Sequence, residues 1–252
     1  MFRLRFTTVV EAPLTVAFDV ARTLGRPWGA PLEEILSERP VRDVYASHPG
    51  AGRVRVTHSR RFTATGAGTR VEEQVQWEAA LPAVLGGLVD GLLLRRRIRR
   101  AMRAHLDAYA AAAARRALDV VQVVGAAVLD GDRVLVAQRS GGPFDGQWEF
   151  PGGKVEPGED DLAGLVRECA EELAVTIVPE AFVGEVVLDG VVGGGEPGVS
   201  TLRVWSARLA GGEPVAREHA ELRWVRAAEL EHLDWIGADR PLLPAVRARL
   251  PP

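Results

Sequence analysis

Polar and apolar positions alternate in the opening run RLRFTTVV, which predicts a β-strand, and the following APLTVAFDVARTL sets Val16, Ala17, Val20 and Ala21 at helical spacing. From Arg53, VRVTHSRRF and TRVEEQVQWEA alternate on either side of the turn at Gly66 to Gly68 and predict a β-hairpin. Beyond Pro82 the period becomes helical. Leu94, Ile98, Ala101, Met102, His105 and Tyr109 share one face, while Arg96, Arg97, Arg99, Arg100 and Arg103 lie mostly on the other, so a long amphipathic helix closes this half. It runs out in AYAAAAARRALD, and a new β run, VVQVVGAAVL, begins at Val120. A boundary near Ala117 therefore divides the chain into residues 1–117 and 118–252. In the second part DDLAGLVRECAEEL is a further helix: Leu162, Leu165, Val166 and Cys169 form an apolar stripe, acidic residues open it, and no proline interrupts it.

Composition adds limits. With 252 residues, 47% of them hydrophobic, each part has enough apolar material for its own core, and disorder is excluded as the main theme. One cysteine, Cys169, rules out an intrachain disulfide framework and a cysteine-rich metal knuckle, which fits a reducing compartment. The opening MFRLRFTTVVEAP lacks the apolar stretch of a secretory signal, and the greasiest segment, Ala79 to Leu94, contains Pro82, three glycines and Asp90 and is too short to span a bilayer. A cytoplasmic protein without a membrane span is expected. The net charge of −3 conceals an asymmetry: residues 1–117 carry 19 basic and 11 acidic side chains, the remainder 12 and 23. Of the 31 basic residues Lys154 is the one lysine.

The chemistry concentrates in the acidic part. From Gly153 the chain reads GKVEPGEDDLAGLVRECAEELAV, a G-x5-E-x7-R-E-x2-E-E pattern that fixes Gly153, Glu159, Arg167, Glu168, Glu171 and Glu172. On a helix Glu168, Glu171 and Glu172 stand at i, i+3 and i+4, where three carboxylates repel one another unless a hard divalent cation lies between them. At these residues the chain resembles the Nudix hydrolase family. The resemblance implies an α/β/α sandwich and Mg²⁺-dependent attack of water on a phosphoanhydride, with Mn²⁺ as an alternative ion held by Glu168, Glu171, Glu172 and the Gly152 carbonyl. Glu159 and Arg167 would orient the box through an ion pair. Ala174 departs from the pattern, which has Gly there; Ala must find another geometry or accept strain.

The flanks VLVAQRSGGPFDGQWEFPGGKVEPGE and GGEPVAREHAELRWV resemble the MutT branch of nucleoside triphosphate pyrophosphohydrolases. That resemblance implies substrate contacts from Arg139, Glu149 and Phe150, a glutamate at Glu218 that approaches the attacking water, and Asp239 against the base edge. Lys154, in the glycine-rich loop, is placed near the phosphates. The substrate class implied is 8-oxo-dGTP, or dCTP and its 5-methyl form, and the role nucleotide-pool sanitation. Trp148 reads as a core residue, and His219 and His232 as surface histidines.

The first part has no comparable motif. Its strand, helix, hairpin and long helix resemble the helix-grip fold of the START-like polyketide cyclase and lipid-transport superfamily, which implies a cavity for an apolar small molecule and carries over no catalytic residue. His58 and His105 read as structural, and the run RRRIRR as a solvated face, with no nucleic-acid partner expected. The fold class expected is therefore α+β in two domains, a helix-grip domain followed by a Nudix sandwich. In a second functional reading, the first domain is a binding module and the Nudix half a regulatory or scaffold domain.

Overall fold

The computed structural model describes residues 1–27, 31–48, 54–79, 94–188 and 199–251, and the chain divides into two compact units, Met1–Leu118 and Asp119–Pro252. Most of the apolar segment Ala79 to Leu94 lies outside the described residues. Among those described, no helix is long and apolar enough to cross a membrane.

In the first unit β1 (Phe2–Val10), β2 (Leu32–Glu38), β3 (Arg42–Ser47), β4 (Val54–Thr65) and β5 (Gly68–Ala79) form an antiparallel sheet in the order β1-β5-β4-β3-β2, with α1 (Leu14–Thr23) and α2 (Arg95–Ala117) packed on it. Strand alternation delivers Leu4, Val75 and Trp77 to one face, where Ile98 and Met102 of α2 complete an apolar cluster. Polar residues share that face in pairs. Arg60 binds Asp43 with three contacts of 2.6–3.2 Å and donates to the Ala21 carbonyl of α1 at 2.7 Å. His58 Nε2 lies 2.6 Å from Glu73 Oε2, with both side chains buried, so His58 fills a structural place. The β2–β3 hairpin has no counterpart in the hydrophobic pattern because β2 is an edge strand with no buried residue.

The second unit holds β6 (Val120–Asp130), β7 (Arg133–Arg139), β8 (Trp148–Glu149), β9 (Thr176–Leu188), β10 (Val199–Gly211) and β11 (His219–Arg226). They make one six-stranded sheet in the order β11-β7-β6-β10-β9, with β8 added on β7. β6 and β10 run parallel and the other neighbours antiparallel. α3 (Asp161–Leu173) and the C-terminal α4 (Leu243–Arg247) take opposite faces. Adjacent residues of β10 show this: Leu202 and Val204 pack with Leu242 and Val246, while Arg203 between them pairs with Asp161, the first residue of α3. The sheet is therefore the middle layer of a sandwich, and Val124, Ala126, Ala127 and Val128 of β6 are buried on both sides.

α3 begins as the pattern predicts, with the Asp160 side chain accepting from the Ala163 N–H at 2.8 Å. It ends at Ala174, whose φ of 58° and ψ of 29° are left-handed and whose N–H bonds the Cys169 carbonyl. An L-residue there carries about 1–2 kcal/mol of strain that glycine escapes, less the entropy glycine loses on folding. Ala174→Gly is expected to raise the urea midpoint by about 1 kcal/mol of stability; an unchanged or lower midpoint would contradict the strain.

Candidate active site

The glycine-rich loop between β8 and α3 lies along β6. The Pro151 and Gly153 carbonyls accept from the Ala126 and Val124 N–H groups at 2.8 and 2.9 Å, and Val155 N–H donates to the Gln122 carbonyl at 3.0 Å. Position 152 requires glycine, and Gly153 lies close against a side chain of α3. A Cβ on Gly152, at φ +149°, would lie 2.1 Å from the Val124 carbonyl oxygen, and one on Gly153 would lie 2.5 Å from the Glu168 carboxyl group. The loop thereby brings backbone against α3, and Gly152 N–H donates to Glu172 Oε2 at 3.3 Å.

Arg167 ties the helix to the loop. Its Nε and Nη2 hold both oxygens of Glu159 at 3.1 and 2.9 Å, Nη2 also donates to the Lys154 carbonyl at 2.9 Å, and Nη1 reaches Glu168 at 3.0 Å and Glu171 at 3.1 Å. The bidentate bond holds the Glu159 carboxyl below its ordinary pKa. Lys154 itself is exposed.

Glu172 has no arginine. It is largely buried, and that desolvation, reinforced by the charges of Glu168 and Glu218 and opposed by His219 and the Gly152 N–H, pushes its pKa up to about 7. Among the described residues no three acidic, imidazole or thiol side chains are drawn together as a ready metal cluster. The donor set is nevertheless of hard oxygens, and the burial and carboxylate repulsion that raise Glu172 are what a divalent cation would relieve. Glu168, Glu171 and Glu172 thus fit such an ion.

Across the site Arg139, at the end of β7, donates Nη1 to Glu149 Oε2 at 2.9 Å, an approach set by the pairing of β8 on β7. Trp148 and Phe150 point into the core, and Phe150 packs at a tilt against Trp235 with ring centroids 4.9 Å apart. Asp239 is 4% exposed and accepts from the Phe150 N–H at 3.2 Å. Burial pushes its carboxyl up to about 7. Glu218 is exposed in the loop before β11.

The family model for the NUDIX domain matches residues 120–246. The chain belongs to the Nudix family. Its Nudix half is 49% identical over 119 residues to the putative 8-oxo-dGTP diphosphatase 2 of Mycobacterium tuberculosis, covering 47% of this chain and 82% of that protein. It is 37% identical over 134 residues to the CTP pyrophosphohydrolase of Escherichia coli, covering 52% and 94%. A crystal structure of a MutT Nudix hydrolase from Burkholderia pseudomallei is also similar, with 28% identity, 50% and 98% coverage and a TM-score of 0.44.

One expectation about the Nudix site is overturned. His219 is not a surface histidine: its side chain is 6% exposed, with Nε2 3.4 Å from Glu149 Oε1 and 4.0 Å from Glu172 Oε2. A register shift between His219 and Glu221 breaks the alternation from which the side chain's direction would be read.

Asp239 supplies a pH test. Its unfolded carboxyl ionises near 3.8 and its folded one near 7, so its contribution to stability is lost as pH rises between those values. Asp239→Asn is expected to flatten that fall and raise the urea midpoint at pH 8. Parallel pH profiles for the two proteins would contradict this.

Proposed function

We propose that the Nudix unit hydrolyses nucleoside triphosphates, deoxynucleotides included, to the monophosphate and pyrophosphate, with Mg²⁺ as cofactor and Mn²⁺ as a substitute. The observation that carries the reading is the Glu172 carboxyl, buried without an arginine beside a glycine-backed loop and opposite the Arg139–Glu149 pair. The names of the two curated relatives point to the same substrate class. They favour an oxidised purine nucleotide or a cytidine nucleotide; the MutT-like flanks add dCTP or its 5-methyl form, and the role proposed is nucleotide-pool sanitation.

Glu168, Glu171 and Glu172 would hold the ion, together with the Gly152 carbonyl. When bound, it neutralises charge on the phosphates and makes water more acidic. Arg139 supplies a guanidinium fork for phosphate oxygens once Glu149 turns to the nucleoside. Phe150 and Asp239 shape the base pocket, and Lys154 faces the phosphates. A water oxygen bonds to phosphorus as the anhydride P–O bond breaks, and a carboxylate, Glu218 or one of the box glutamates, accepts the water's proton. Gly153, Glu159 and Arg167 hold loop and helix in register.

The test is turnover of a nucleotide panel with Mg²⁺, with product analysis; no hydrolysis of any triphosphate would overturn the reading. A second reading concerns the first unit as a START-like module for an apolar small molecule. The apolar cluster between its sheet and α2, in which the buried Trp77 Nε1 has no partner among the described residues, favours it. Mass spectrometry of the purified protein for a bound apolar metabolite tests it.

A further inference from the structure

His219 stands between the two halves of the proposed site. Glu149 has one oxygen on Arg139, and its other, Oε1, faces His219 Nε2 at 3.4 Å. The same nitrogen faces Glu172 Oε2 at 4.0 Å, the oxygen that also accepts from Gly152 N–H. The nearer oxygen belongs to a carboxylate already bound to Arg139 and is an acceptor that an Nε2–H faces, while the Glu172 oxygen lies beyond hydrogen-bond reach at ion-pair distance. Nδ1 is buried and has no hydrogen-bond partner among the described residues, so the ion-pair contacts seen for this imidazole are those of Nε2 with the two carboxylates.

The backbone fixes this placement. His219 is paired with Arg139 across β11 and β7, and the register shift that follows it sets the side chain apart from the strand's regular alternation. Arg217, two residues before, is held against α3 by its N–H on the Glu172 carbonyl at 3.1 Å. The loop leading into His219 is thereby anchored to the same helix turn that bears Glu172.

We propose that His219 is a positioning residue: buried between Glu149, on the nucleoside side, and Glu172, on the box helix, with Nε2 turned toward both carboxylates, it fixes the distance between substrate binding and the reacting phosphate. The role rests on the proposed nucleotide hydrolysis. Loss of such a support acts on the reacting geometry, so it lowers kcat more than it raises KM.

Replacement chemistry separates the two nitrogens. The amide nitrogen of Gln is as many bonds from Cα as His Nε2, whereas that of Asn matches Nδ1. The experiment measures kcat and KM for wild type, His219→Gln, His219→Asn and His219→Ala on the full chain with the best nucleotide of the panel, alongside urea midpoints. Ala and Asn are expected to lose kcat by about 10- to 100-fold with a smaller change in KM, while Gln stays near wild type. Equal losses in Gln and Asn, losses that follow the urea midpoints, or wild-type kcat in all three would overturn the role. A wild type that turns over no triphosphate would instead overturn the proposed function, and this role with it.

Discussion

Glu172→Gln is expected to lower turnover of the best nucleotide by about 10²–10⁴-fold while leaving the fold intact, the scale set by removal of a carboxylate that acts in proton transfer and ion binding. The substitution keeps shape and the acceptor for Gly152 N–H, and it removes the charge that burial and the neighbouring Glu168 and Glu218 make costly. Stability is therefore expected to move opposite to activity. In metal-free protein the folded carboxyl keeps its proton up to about pH 7, whereas the unfolded one releases it near 4.5, so stability is lost as pH rises through that window. The Gln variant lacks this loss. At pH 8 with chelator present its urea midpoint should lie above that of wild type. A variant that is both inactive and less stable would assign Glu172 to the scaffold.

Arg203→Met is expected to be the most destabilising single change in the second unit, by about 3–5 kcal/mol. Arg203 is 1% exposed and pairs with Asp161 at the start of α3 and, through Nε at 3.3 Å, with the buried Glu185 of β9. The cost of burial already exceeds Arg203's attraction at Asp161, whose pKa is pushed up to about 6, with Glu185 adding repulsion. Removing the guanidinium that pairs with both takes its charge away from two buried acids. Urea unfolding reads the loss, and adding Asp161→Asn and Glu185→Gln to Arg203→Met should recover part of it. A loss below about 1 kcal/mol would contradict the burial of this triad.

These two predictions draw on parts of the molecule that differ in how openly the sequence displays them. The box helix is local: its cap at Asp160, its apolar stripe and the spacing of Glu168, Glu171 and Glu172 all follow from a period of 3.6. The Glu159–Arg167 ion pair came with the family resemblance instead, because Glu159 lies in the loop before the helix, outside its period. Arg203 and Glu185 were not legible, because a pattern rule sends charged residues outward and cannot see that a partner waits across the sheet. His219 escaped for another reason, a register shift that resets the alternation of β11. The sole signal for it was its place in EHAELRWV, directly after Glu218. At Ala174 the missing glycine pointed to the right position, and the backbone accepts the left-handed geometry despite its side chain. In the first unit the hairpin and long helix were visible as periodicity, whereas the exposed β2–β3 edge carried no apolar alternation to read.

The most direct test of the central claim is phosphorus NMR of the products when the full-length protein and Mg²⁺ are given 8-oxo-dGTP, dCTP and 5-methyl-dCTP in parallel. The proposed chemistry predicts equal amounts of nucleoside monophosphate and pyrophosphate from at least one of them; diphosphate with inorganic phosphate, or no product from any, would contradict it.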